Sequence, residues 1–172
     1  MDNNAYTLNV FMHDRHIGIL EQKNGKLSFQ YTSSYLSDKN ACTLSESLPL
    51  AAEKYTGPEV ENYFSNLLPD ERIRDIVAFI LHTSRDNTFR LLKEIGADCA
   101  GAVAFYSPGQ TPHSESDPIY RKLSDTEVYA ILDNLGQRPL DVGDEGVRIS
   151  GAGSQEKLVA CVFDGQIALP LY

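Results

Sequence analysis

The residues with the clearest chemical potential lie near the C-terminal end, where Ser150-Gly151-Ala152-Gly153-Ser154-Gln155-Glu156-Lys157 joins two apolar runs. Backbone N–H groups can close on a phosphate oxygen only where no side chain blocks the approach, and Gly151, Ala152 and Gly153 leave that approach open. Ser154, Gln155 and Lys157 add a hydroxyl, an amide and a cation within reach of the same anion. The segment is not a Walker loop, because the Gly-Lys-Ser/Thr ending is missing and a strand pattern follows instead of a helix. Nor is it a dinucleotide fingerprint, which needs a third glycine and a following helix. By spacing alone, these residues fit either a phosphate-covering loop or an ordinary tight turn between strands.

The remaining reactive residues are scattered. Cys42, Cys99 and Cys161 form no Cys-x-x-Cys pair and sit among small or apolar neighbours, so buried, reduced thiols are expected. His13 and His16 are the one close histidine pair, but two further ligands are lacking; a polar turn is expected and no metal site. Fifteen basic against twenty-four acidic residues give a net charge of −9, so the electrostatic footprint of a direct DNA or RNA binder is absent. Such acidity favours solubility or a basic partner. No apolar run approaches membrane-spanning length, and Met1-Asp2-Asn3-Asn4 lacks the basic start and apolar stretch of a signal peptide. A soluble, cytoplasmic protein without a membrane partner is the expectation.

The elements that must position the Gly-rich segment begin with strands. Tyr6–Phe11, a turn at His13-Asp14-Arg15, and His16–Leu20 are followed by Asn24-Gly25 and the alternating Leu27, Phe29 and Tyr31. Asn-Gly between such runs predicts a two-residue hairpin, giving a three-stranded antiparallel meander. Thr56-Gly57-Pro58-Glu59 matches a capping box ahead of Val60, Tyr63, Phe64 and Leu67, a helical stripe that Pro69 ends. A second helix is predicted from Asp70 with Ile73, Ile76, Val77 and Ile80 inward. A third carries Phe89, Leu92 and Ile95, with Gly96 as its stop. Gly101–Tyr106 returns to strand character, and residues 107–118 read as an exposed loop. Ser124-Asp125-Thr126-Glu127 is a second capping box before the stripe Val128, Ile131, Leu132 and Leu135, which Gly136 terminates. The fold class is α+β, an antiparallel meander packed with about four helices over residues 1–140.

From Val147 the order is strand (147–150), Gly-rich loop, strand (158–163), an Asp164-Gly165 turn, and strand (166–169). Protein kinases open their ATP lobe in this order, with the loop over the phosphates. Residues 147–172 are therefore expected to begin such a lobe.

The sequence also resembles HipA-family serine/threonine kinases, the toxins of bacterial toxin–antitoxin pairs. Arg148-Ile149-Ser150-Gly151-Ala152-Gly153-Ser154-Gln155-Glu156-Lys157 resembles the family's Ser-x-Ala-Gly-x-Gln-x-Lys stretch. Three upstream segments agree in the same order: Leu44–Leu50, Tyr63–Asp70 and Leu91–Val103. The resemblance implies a kinase preceded by an α+β subdomain, using ATP and Mg to phosphorylate a translation component such as glutamyl-tRNA synthetase. It implies neutralisation by a helix-turn-helix antitoxin of HipB type, through which operator DNA is reached only indirectly. It implies autophosphorylation at Ser150, and nucleotide binding by Ala152, Gly153, Ser154, Gln155, Glu156 and Lys157.

Two departures stand out. Residue 151 is glycine where relatives often carry an apolar residue, which loosens the loop. The strand lysine, the catalytic-loop aspartate and asparagine and the metal-binding aspartate of such kinases all fall beyond Tyr172, so no catalytic residue is expected within the chain, which alone should be inactive. A second reading is a stand-alone regulatory module that restrains a separate kinase core; a third is an unrelated small α+β protein binding ATP or a peptide. A reading frame continuing past Tyr172 separates the first from the second.

Overall fold

The computed structural model describes residues 6–98, 101–112, 119–134 and 160–171. The chain is α+β, as expected, with the strands in two antiparallel sheets. The larger sheet uses β1 (Tyr6–Met12), β2 (Arg15–Lys23), β3 (Lys26–Tyr31), β4 (Tyr55–Thr56) and β5 (Val103–Tyr106), in the order β4-β3-β2-β1-β5. Its centre is the expected meander. Asn24 and Gly25 hold φ values of 52° and 77°, so both turn positions are left-handed as the Asn-Gly pair demands. The two outer strands extend what the alternation alone had indicated.

One face of this sheet is apolar and the other mostly polar. Leu8 pairs with Leu20, and Leu20 with Phe29; Val10 faces Gly18, and Gly18 faces Tyr31. These residues are buried, whereas Asn9, Glu21 and Gln30 on the opposite face are not. Against the apolar face lie α2 (Pro58–Ser65), α3 (Glu71–Ile80) and α4 (Thr88–Ile95), following the short α1 (Ser33–Leu36). Val60, Phe64, Ile73, Val77, Phe89, Leu92 and Ile95 enter the core, so the three predicted stripes face inward; Ile76 and Ile80 are half-buried. Phe29 meets Phe64 with ring centroids 5.4 Å apart, and Phe64 meets Phe105 at 5.7 Å, an aromatic run from β3 through α2 to β5.

Several local expectations are corrected. Thr56 does not cap α2: it belongs to β4, opposite Ser28, and the cap is Gly57 at φ 97° with Pro58 at the first helical position. Gly96 follows α4 at φ −76°, an ordinary right-handed value, so it is not a left-handed stop. Its function is clearance, since a Cβ there would lie 2.8 Å from the Phe105 ring. The thiols are not buried: Cys42 is exposed and Cys161 half-buried, while Cys99 lies outside the described residues.

Two glycines of the meander are required for different reasons. A Cβ at Gly18 would enter the Phe29 ring and come 2.7 Å from the carbonyl oxygen of Gln30. Gly25 has open space around it but sits at φ 77°. Gly18→Ala is expected to cost about 1–3 kcal/mol through overpacking, and Gly25→Ala about 1 kcal/mol through backbone strain alone. In urea unfolding, Phe29→Leu should partly rescue the first variant and leave the second unimproved.

Candidate functional site

The second sheet contains the hairpin expected next to the Gly-rich segment. Its strands are β6 (Ile119–Lys122), β7 (Cys161–Phe163) and β8 (Gln166–Leu171), in the order β6-β8-β7. Asp164 and Gly165 have φ values of 51° and 76° and make a two-residue turn, so Val162 pairs with Ile167 and Phe163 with Gln166. Ala168 and Leu169 are buried, as is Leu123, whose N–H donates to Ile167 O at 2.8 Å.

Strand β6 was not anticipated. Ile119-Tyr120-Arg121-Lys122 is only four residues long and follows the polar loop, which hid it. It pairs with β8 through Lys122–Ala168 and Arg121–Leu169, so this sheet draws strands from both sides of position 140. Lys122 Nζ lies 2.8 Å from Asp164 Oδ2 and 5.0 Å from the centroid of Phe163, and Tyr120 stacks on the same ring at 5.6 Å. Lys122 thus fixes the hairpin tip and has a carboxylate partner already.

Strand β6 leads into α5 (Asp125–Asn134) through the predicted capping box, which is present. Ser124 N donates to Glu127 Oε2 at 2.8 Å, and Glu127 N donates back to Ser124 Oγ at 3.3 Å. Those bonds from Ser124 to its charged form, with Arg121 3.0 Å away, hold the Glu127 carboxyl below the usual glutamate value. The α5 stripe is less buried than expected: Val128 and Ile131 are half-buried and Leu132 is exposed. Leu135 and Gly136 lie outside the described residues, as do the expected strand at 147–150, Ser150, and Ala152, Gly153, Ser154, Gln155, Glu156 and Lys157. Strand β7 begins at Cys161, four residues after Lys157 in the sequence.

In the first sheet, tyrosines tie down the segment 42–50. Tyr31 Oη donates to Leu48 O at 2.7 Å and accepts from Leu44 N at 2.9 Å. Tyr35 Oη donates to Cys42 O at 3.0 Å, and Tyr55 Oη to Pro49 O at 2.6 Å. Burial pushes the Tyr31 hydroxyl above its ordinary value of 10.0, with its hydrogen bonds from the Leu44 amide and Thr43 pulling the other way. Arg15 bonds Asp38 and lies 4.9 Å over the Tyr35 ring, closing the other end of the loop. None of these three hydroxyl anchors was singled out from the sequence: Tyr31, at an alternating strand position, reads only as core, and Tyr35 on α1 and Tyr55 on β4 lie in elements too short to leave a pattern. Among the described residues no group of three or more His, Cys, Asp or Glu side chains could hold a metal ion. Nor is any helix among them long and apolar enough to cross a membrane.

The described residues thus form a meander packed with helices on its apolar face, a tyrosine-anchored loop and a separate three-stranded sheet. Residues 8–106 match the family model described as the HipA N-terminal domain, and the chain belongs to that family. It is 38% identical over 169 residues to a Sinorhizobium fredii protein named "Putative kinase Y4mE", covering 95% of this chain and 40% of that one. It is 32% identical over 162 residues to the serine/threonine-protein kinase toxin HipA of Shewanella oneidensis, covering 90% of this chain and 35% of that protein. A solved complex of HipA, HipB and operator DNA from Shewanella oneidensis matches with a TM-score of 0.70 and 28% identity, over 95% of this chain and 37% of the solved one. The chain therefore spans well under half the length of these relatives.

Two outcomes follow. Tyr31→Phe leaves the part-buried Leu44 N–H without its partner, while Leu48 O keeps Thr43 Oγ1, and should cost about 1–3 kcal/mol. Because the folded state raises the Tyr31 pKa, its contribution is complete below pH 10 and declines as pH rises through the folded value; the phenylalanine variant should lose that alkaline limb in a stability–pH profile. Glu127 behaves oppositely. Its folded pKa is lowered, so the cap is complete above about pH 4.5 and fades as pH falls through the folded value, which the Ser124 amide resonance would report.

Proposed function

We infer that this chain is the N-terminal portion of a HipA-type serine/threonine kinase toxin, and that residues 147–171 form the phosphate-covering edge of its ATP lobe. The observation that carries this reading is the Asp164-Gly165 hairpin, clasped by β6, directly after a Gly-rich stretch in a chain of this family. Bare main-chain amides at Gly151, Ala152 and Gly153 would meet the nucleotide phosphates, with Ser154, Gln155, Glu156 and Lys157 completing that edge. ATP and Mg belong to the full-length kinase; among the residues of this chain, none is assigned to phosphoryl transfer itself.

Ser150 is the autophosphorylation site in this reading. A phosphate there adds nearly two negative charges to a loop whose amides would otherwise hold the phosphates of ATP. The two anions compete for one set of donors, so phosphorylation switches the loop out of its nucleotide-holding position. The substrate is a translation component bearing a serine or threonine. The neutralising partner is a helix-turn-helix antitoxin of HipB type, and operator DNA is reached through it. The net charge of −9 supports that order, because a chain with so few basic residues has little with which to neutralise the phosphate backbone of DNA directly. The solved relative with HipB and operator DNA supports the same partners.

The test uses a full-length protein that carries this segment. After incubation with ATP and Mg, mass spectrometry should find phosphate on Ser150, and Ser150→Ala should keep phosphorylating substrate after the wild type has silenced itself. A full-length kinase that is active yet unmodified at Ser150 would overturn the assignment of that residue. Unchanged ATP affinity in a Gly153→Val variant would overturn the phosphate-loop reading.

A further inference from the structure

Two of the segments that carry the family resemblance, 44–50 and 63–70, converge on a single open cleft of about 350 Å³. One wall is the Ser45–Leu48 turn and the other is the outer face of α2, with Glu59, Asn62, Tyr63 and Asn66 along it. The turn wall is already satisfied. Leu48 N donates to Ser45 O at 3.1 Å, the two serine hydroxyls lie 2.8 Å from one another, and Thr43 Oγ1 and Tyr31 Oη both bond Leu48 O at 2.7 Å.

The helix wall is different. Asn62 and Asn66 are exposed, and among the described residues neither side-chain amide has a hydrogen-bond partner. Four residues of helix separate them by about 6 Å along the axis. In an extended peptide, residues facing the same way recur every about 6.6–6.8 Å, each presenting its N–H and C=O together. A carboxamide has both an acceptor and donors, so each asparagine can pair with one such residue. The spacing of the two amides therefore matches the repeat of an extended main chain. Glu59 stands three residues before Asn62, on the same face. Its carboxylate carries no cation among the described residues. Glu21, Glu94 and Glu127, by contrast, are engaged by Lys54, Arg90 and Arg121, and Glu61 accepts from the Leu27 amide.

We propose that this cleft binds an extended peptide segment of a basic partner protein, its main chain paired with Asn62 and Asn66 and a lysine or arginine side chain held by Glu59. Charge complementarity selects the occupant: residues 41–70, which supply both walls, carry five acidic side chains against one basic, and the one charged side chain in the cleft is a carboxylate. The tyrosine-anchored turn supplies a preformed wall, so little of the binding energy is lost in ordering it. The proposal stands apart from the kinase reading and uses no residue of the Gly-rich loop.

Titration of the whole chain with a capped pentapeptide, arginine at its centre and alanine elsewhere, tests it by the side-chain NH2 resonances of Asn62 and Asn66. Saturable shifts in both are expected, with a dissociation constant of about 1 mM. Combining Asn62→Ala with Asn66→Ala should weaken binding about tenfold, and Asn62→Asp, isosteric but without donors, makes the same comparison should that pair disturb folding. Glu59→Gln should reduce the arginine peptide to the affinity of its all-alanine counterpart while leaving the latter unchanged. No saturable shift up to about 10 mM peptide, shifts confined to residues outside the cleft, or full affinity in the asparagine variants would overturn the proposal.

Discussion

The contact of Phe64 with Phe29 on one side and Phe105 on the other holds the larger sheet and its helices as one body. All three rings are fully or almost fully buried, and each pair adds about 0.5–1.5 kcal/mol beyond the area it removes from water. Two glycines make the contact possible. Gly18 leaves room for the Phe29 ring, and Gly96 lets Phe105 lie against the end of α4. With Phe64 turned inward, helical geometry turns Asn62 and Asn66 outward toward the Ser45–Leu48 turn. The functional face of α2 is thus set by what its other face packs against.

Much of this arrangement can be read from the residues, and the exceptions have physical causes. Asn24-Gly25 and Asp164-Gly165 announce their hairpins because few other pairs accept two left-handed residues in succession. The two capping-box patterns had different outcomes. Ser124 and Glu127 close the expected reciprocal bonds, whereas Gly57 and Pro58 move the start of α2 one residue onward and free Thr56 for β4. Strands β4 and β5 are edge additions whose place is decided by tertiary pairing, and β4 is two residues long. Gly96 reads as a helix stop from its position, yet its purpose depends on Phe105, nine residues further along the chain, a contact that no local pattern encodes. Cys42 looks buried from its neighbours, but the loop that carries it is held at the surface by Tyr35.

The candidate site divides in the same way. The strand–turn–strand frame was legible, because alternation and turn chemistry are local. The clasp provided by β6 was not, because Lys122 finds Asp164 and Phe163 only across a long stretch of chain. The tyrosine hydroxyls were hidden for a related reason. A buried ring and a buried ring with a tethered loop look alike until the loop's own amides and carbonyls are seen to need partners.

The pairing of β6 with β8 has a consequence for how the molecule is made. A ribosome delivers Lys122 long before Ala168, and Ile119 long before Leu171, so the nascent chain must carry β6 with an open edge until its partner emerges. In the first sheet the meander closes within the first few dozen residues, although the free edge of β1 also waits, for β5. The larger sheet thus has all its strands once β5 is made, whereas the clasp locks only when the hairpin arrives. Any proteolytic nick between Leu123 and Ala160 leaves that clasp to be rebuilt from two pieces.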